Sequence, residues 1–170
     1  MAKYLTRLDS IAIGEARTAA TGMPSTMTSI APGKFVDDSA GFFVDAPTIT
    51  HTFSETSKNP LFSTVTQEGE SRIEFAVHDL SPAWLALGAG GTTNSTTFEA
   101  SKTASVINQK AIRAIGKDKD GTARTIDIFN VNLVQSDQLT LSKNRPGQIN
   151  YIGYVMEPAM PLTQGAWKFY

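Results

Sequence analysis

From residue 42 the chain alternates apolar and polar positions with the period of a strand. In FFVDAPTITHTFSE, Ile49, His51 and Phe53 fall on one face while Thr48, Thr50 and Thr52 take the other. The pattern lapses through ETSKN, ends at Pro60 and resumes in LFSTVTQ, where Leu61, Ser63 and Val65 oppose Phe62, Thr64 and Thr66. Residues 42–66 are therefore expected to form a long two-stranded excursion with a polar tip. Ile73, Phe75 and Val77 point inward from the next strand, over 71–77. Residues 106–117 and 122–131 flank KDKDG, and Asp120-Gly121 between two strand-like runs predicts a hairpin. On its return strand Ile126 and Ile128 share a phase that Phe129, Val131 and Leu133 reverse, which predicts a β-bulge near Phe129. Leu139 and Leu141 begin a short strand, and NRPG makes a turn. Residues 148–157 are apolar on both faces, with Ile149, Tyr151 and Val155 against Ile152, Tyr154 and Met156, as suits a central strand or one that meets another subunit.

Two stretches break the alternation. In DLSPAWLALGAGG, Ser81 is a good N-cap and Pro82 suits the first helical position, so residues 81–88 predict a helix of one to two turns that Gly88 ends. So short a helix forms only by burying Trp84, Leu85 and Leu87 against something else, here an open side of the strand structure. Residues 1–28 hold a short apolar strand at Ile11–Ile13, then small and hydroxylated residues with Met23 and Met27, while Gly22 and Pro24 stop any helix. With so few apolar residues, 1–28 reads as an arm whose ordering needs a partner surface. Seven or eight strands, one short helix and no internal repeat give one domain over 1–170. Its expected fold is mainly β, with two packed antiparallel sheets in a small β-sandwich or barrel and a short flanking α-helix.

A chain of 170 residues buries about 70% of its extended surface, so a real core is expected. Fifteen Lys plus Arg stand against sixteen Asp plus Glu, so no net field draws it to nucleic acid or a membrane. A charged fraction of only 18% suits a surface that other subunits cover. The absence of cysteine excludes disulfides, thiolate metal sites and cysteine nucleophiles. No run reaches the roughly 18 apolar residues of a spanning helix, and residues 1–14 lack a signal-peptide core, so a soluble, unprocessed chain is expected.

Catalytic patterns fail one by one. His51 and His78 have no helix-spaced partner, so neither a metal nor a cofactor is expected. KDKDG has glycine and apolar residues where a calcium loop needs oxygen ligands. In DDSAG, Asp37 replaces the first glycine of a nucleophile elbow. GAGG follows a helix instead of opening one, so it is loop punctuation. Asn94-Ser95-Thr96 matches a glycosylation sequon, which matters only in a secreted eukaryotic chain. Asp37-Asp38 and Glu68 with Glu70 lack an apolar wall to separate their pKa values, so they read as solvated loop ends. No enzyme is expected.

The order of these features resembles the major tail tube proteins of long-tailed bacteriophages, which share a fold with the tube protein of type VI secretion systems. The resemblance is carried by IAIGEARTAATGMPSTMTSIAPGKF, by IEFAVHDLSPAWLALGAGG and by KAIRAIGKDKDGTARTIDIFNVNL. It implies two orthogonal sheets, rings of six subunits, and rings stacked into a hollow tube that lets double-stranded DNA pass without specific binding. The arm and the 42–66 excursion would reach neighbouring subunits, making Met23, Met27, Phe42, Phe43 and Phe62 candidate inter-subunit contacts. Glu74 and Asp127 would be candidate lumen carboxylates, although Arg113 and Arg124 also lie on strands. The implied partners are further copies of the chain and the tape measure, terminator and baseplate proteins, and the implied location is a virion assembled in the host cytoplasm. Two alternatives remain: another tail or injection-machine component of the same fold, such as a tail terminator or baseplate hub, and a carbohydrate-binding β-sandwich using Trp84, Trp167 and tyrosines as platforms.

Overall fold

Strands with the expected alternation assemble into one large antiparallel sheet that is folded around its own core. The computed structural model describes residues 2–3, 7–17, 22–30, 34, 40–53, 60–67, 69–78, 80–89, 91–94, 96–100, 108–118, 120–136, 140–142, 145–158 and 165–170. In chain order the elements are β1 (Ala2–Lys3), β2 (Arg7–Glu15), β3 (Thr28–Ser29), β4 (Gly41–Val44), β5 (Thr48–Phe53), β6 (Pro60–Gln67), β7 (Ser71–Val77), α1 (Pro82–Ala89), β8 (Gly91–Thr93), β9 (Phe98–Ala100), β10 (Gln109–Lys117), β11 (Ala123–Gln135), β12 (Thr140–Ser142), β13 (Arg145–Val155) and β14 (Trp167–Phe169). The ten-stranded sheet runs β1-β4-β7-β13-β11-β10-β2-β3, with β12 beside β13 and β14 beside β11, while β5-β6 and β8-β9 are separate two-stranded sheets. Among the described residues the chain is mainly β with one short helix. The strands beyond the seven or eight expected are mostly pairs or triplets of residues at sheet margins, too short for a sequence period to mark.

The bulge on β11 organises the whole sheet. Lys110 pairs with Val131 but Ile112 with Ile128, so Phe129 and Asn130 together oppose Ala111. That extra residue resets the phase, and Ile126, Ile128, Val131 and Leu133 all end up fully buried on the core face. It also changes the neighbour of β11: β14 pairs along Ile126–Ile128, β13 along Val131–Gln135. Asn130 holds the junction. Its carbonyl accepts from the Met156 N–H at 2.9 Å, its side-chain amide donates to the Glu157 carbonyl at 3.0 Å, and the neighbouring Phe129 N–H donates to Ala166. The two halves of the sheet then face each other. Phe42 on β4 meets Trp167 on β14 edge to face at 5.0 Å, although their strands are not neighbours in the sheet. This is the layered packing of a sandwich, made by one continuous hydrogen-bonded sheet in place of two separate ones.

Within the 1–28 stretch, residues 7–15 are a strand of the main sheet, not part of a free arm. β2 pairs with β10 from Glu15–Lys110 to Arg7–Lys117, and Ile11 and Ile13 sit in the core opposite Ala114 and Ile112. Of the residues that follow, Pro24, Thr26 and Met27 lie back against Gly14 of the same strand, and Thr28–Ser29 pair with it. The apolar residues of β2 were too sparse to signal a core strand because its two core-face isoleucines are supplemented by β10 and β11, not by β2 itself.

Helix α1 closes the open side of the core. The Ser81 carbonyl accepts from the Trp84 and Leu85 N–H groups, which starts the helix, and Trp84, Leu85 and Leu87 pack against the core cluster. Tyr151 is its seat: the ring stacks on Phe75 at 5.2 Å, lies 6.3 Å from Trp84, and its hydroxyl donates to the Trp84 carbonyl. Gly88 is part of the helix, not its end. A Cβ there would sit 2.7 Å from the Tyr151 ring and 3.0 Å from the Gln135 nitrogen, so glycine is what lets the helix approach the sheet this closely. Tyr151→Phe keeps the stacking but removes the hydroxyl's bond to the Trp84 carbonyl. The expected loss is about 1 kcal/mol, read as a lower denaturant midpoint at unchanged m-value.

Candidate functional site

Among the described residues no cluster of three or more His, Cys, Asp or Glu could hold a metal ion, and no helix is long and apolar enough to cross a membrane. His78 is half-buried with Nδ1 3.4 Å from the Gly147 carbonyl, whereas the His51 side chain, Asp37, Asp38 and Glu68 lie outside the described residues. Asp118 in KDKDG is spent on its own turn. Its carboxylate accepts from the Asp120 and Thr122 N–H groups and from Arg124, while Gly121 supplies the left-handed residue at φ 82°. Asn94 forms a similar cap, accepting from Thr96 and Thr97 at the tip of the β8-β9 hairpin.

The distinctive surface feature is the β5-β6 hairpin. The β4-β7 ladder extends to the Asp45 N–H donating to Glu70, and the chain leaves the sheet from there. Gly69 closes the base: a Cβ would fall 1.9 Å from the Asp45 carbonyl oxygen, so only glycine lets the two legs meet. Beyond it, Thr48–Phe53 and Pro60–Gln67 pair with each other and with no other strand among the described residues. Ile49 on this hairpin is 45% exposed. The excursion therefore starts after β4, not at residue 42.

The expected contact residues fall in different environments. Phe42 is 1% exposed and belongs to the core, so it is corrected from a contact residue to a packing residue. Phe43 faces the other way, half-buried with the Arg72 guanidinium 5.3 Å over its ring. Met23 and Met27 are half-buried in the stretch that covers β2, and the Phe62 side chain lies outside the described residues.

Glu74 and Asp127 both point away from the core, but from different halves of the sheet, and each is bonded to an arginine. They do not form one acidic wall. Arg72 bridges Glu74 and Asp45 at 2.7 Å each, and these bonds, Glu74 first, raise its pKa against some burial. Arg113 grips Asp127 with two bonds of 2.6 and 2.7 Å, which raise the guanidinium pKa well above its ordinary value. Asp127 keeps only 6% side-chain exposure and also accepts from the Tyr170 hydroxyl at 3.1 Å. Burial, then that bond, pushes the Tyr170 phenol up. Sequence reasoning placed Asp127 and Arg113 on strands without joining them, yet their spacing across the 118–122 turn makes them direct cross-strand neighbours.

Both tryptophans are half-buried, Trp84 tilted against Tyr151 at 6.3 Å and Trp167 edge to face with Phe42 at 5.0 Å. No protein-family model matches the chain, and no curated protein matches its sequence.

Proposed function

We propose that the chain is a structural subunit with the phage tail tube fold, forming rings of six copies that stack into a hollow tube through which double-stranded DNA passes into a host. The observation that carries this reading is the β5-β6 hairpin. It is a ladder clamped at its base by Gly69, paired only with itself among the described strands, and presenting an exposed Ile49. Such a ladder, standing outside the main sheet, offers its exposed Ile49 side to another chain. The order of elements supports the same reading, from a strand running into a capped helix to a long hairpin with a bulge on its return strand. So does the near-balance of fifteen basic and sixteen acidic residues, which offers passing DNA no net attraction.

On this reading the role is structural, not catalytic, the partners are further copies and the tape measure, terminator and baseplate proteins, and the location is the virion after assembly in the host cytoplasm. Negative-stain microscopy of the concentrated protein tests it. Long hollow filaments or stacked rings are expected; a preparation that stops at single rings points to a terminator or hub of the same fold, and monomers that never assemble overturn the proposal.

A further inference from the structure

The β5-β6 hairpin continues the β4-β7 ladder across a break. Val44 pairs with Ser71 and Thr48 with Gln67, so three residues on each leg separate two ladders that share one register. The Asp45 N–H donates to the Glu70 carbonyl at 2.8 Å as the last rung before the break. Within it, Pro47 has no N–H to offer a further rung, and Gly69 has no side chain where a Cβ would meet the Asp45 carbonyl oxygen. Beyond it, β5 and β6 pair with no other strand among the described residues, so their own ladder does not fix their angle to the sheet.

A charge cluster on the outer face of the sheet braces that last rung. Arg72 on β7 donates from Nη1 to Asp45 and from Nε to Glu74, each at 2.7 Å, and its guanidinium lies 5.3 Å over the Phe43 ring. Arg72 pairs directly with Phe43 and is the diagonal neighbour of Asp45, so one long side chain spans both strands at the root of the hairpin. The Arg72 and Asp45 side chains keep 20% and 35% exposure, so water and salt screen their bond only in part.

We propose that Arg72 is a latch that sets the angle at which the β5-β6 hairpin leaves the sheet, with residues 45–47 and 69–70 as the hinge. While the Asp45 carboxylate is held, the last rung is fixed and the hairpin projects in one direction. Without that bond the rung opens and the ladder of 48–67 swings as a unit. The sheet below stays intact, because Phe42, Ile73 and Phe75 hold β4 and β7 together from the core face. The latch belongs to the single chain and stands apart from the tube reading.

Spin labels on Ile49→Cys and Lys117→Cys report the angle as a distance between two exposed positions, in a chain with no cysteine of its own. Labelled chain is diluted into unlabelled chain, so that only distances within one copy are read. A single narrow distance distribution is expected, and its loss in Arg72→Gln and in Asp45→Asn, which keeps the shape and removes the charge. Glu74→Gln leaves the Arg72–Asp45 bond and is expected to keep the narrow distribution. In Arg72→Gln the Asp45 amide is also expected to exchange its hydrogen about tenfold faster, the size of one charge-assisted bond, with the β10 and β11 amides unchanged. A narrow distribution in both Arg72→Gln and Asp45→Asn, or an unsubstituted hairpin already as broadly distributed as theirs, overturns the proposal. So does faster exchange spread evenly over β7, β10 and β11, which would make Arg72 a prop of the whole sheet. None of these results bears on whether copies assemble.

Discussion

A chain that begins at residue 29 is expected not to fold. Its loss removes all nine residues of β2, which pair with β10 along nearly their full length. Ile11 sits in a row with Ala114 and Ile126, and Ile13 in a row with Ile112 and Ile128, so each isoleucine covers a buried neighbour on the adjacent strand. Truncating one buried isoleucine to alanine costs about 2–5 kcal/mol. Losing two, with a ladder of backbone bonds, removes as much as the about 5–15 kcal/mol that holds a domain of this size together. It also leaves β10 as a long apolar edge open to aggregation. Circular dichroism of the truncated chain is expected to show no cooperative melting, together with rapid digestion by a nonspecific protease. A truncated chain that melts within a few degrees of the full one would mean that β2 is a dispensable arm after all, and that its absence affects assembly alone.

The contrast between β2 and β11 shows what the sequence exposes. The reversal of phase after Ile128 is a local signal, because a strand with one buried face must add a residue to keep that face when the alternation slips. The bulge was therefore legible, and so was the helix, whose Ser81-Pro82 start is local chemistry. The membership of β2 in the core was not. Two isoleucines among small and hydroxylated residues mean little until β10, nearly a hundred residues away, is known to lie beside them. The same holds for Phe42. Read from its own segment it looked like the first residue of a protruding hairpin, yet the ring that buries it, Trp167, lies near the other end of the chain. Of the candidate site, the self-paired ladder of residues 48–67 was legible from its alternation and its interruption at Pro60. The clamp at Gly69 and the Arg72 bridge were not, since both arise from close approaches between segments that no period records.

Arg113→Ala is expected to cost about 3 kcal/mol, because it leaves the Asp127 carboxylate in a site with 6% side-chain exposure and only the Tyr170 hydroxyl in place of a two-pronged cation. The cost lies toward the low end for a broken buried pair, since Arg113 itself is 37% exposed and water enters the space it leaves. The reverse truncation behaves differently. Asp127→Ala frees a guanidinium that already reaches solvent, so the expected loss is about 1 kcal/mol. The double variant Arg113→Ala/Asp127→Ala is then expected to be more stable than Arg113→Ala alone, because no buried charge is left uncompensated. Equal losses in the two single variants, or a double variant weaker than either, would show that the pair contributes by packing and not by charge.

Tyr170 adds a second readout for the same cluster. Tyr170 is 52% exposed, and the local desolvation of its phenol with the bond to Asp127 holds it above the ordinary value, so the folded chain binds that proton more tightly than the unfolded one by an amount that solvent screening keeps small. The contribution is fully present below about pH 10 and is lost as pH rises through the raised pKa. Tyr170→Phe is expected to shrink the alkaline decline by this small contribution, while Arg113→Ala, which leaves the bond from Tyr170 to Asp127, keeps it. Unfolding curves between pH 7 and 11 thus separate the role of the hydroxyl from that of the ion pair in fastening β14 to β11.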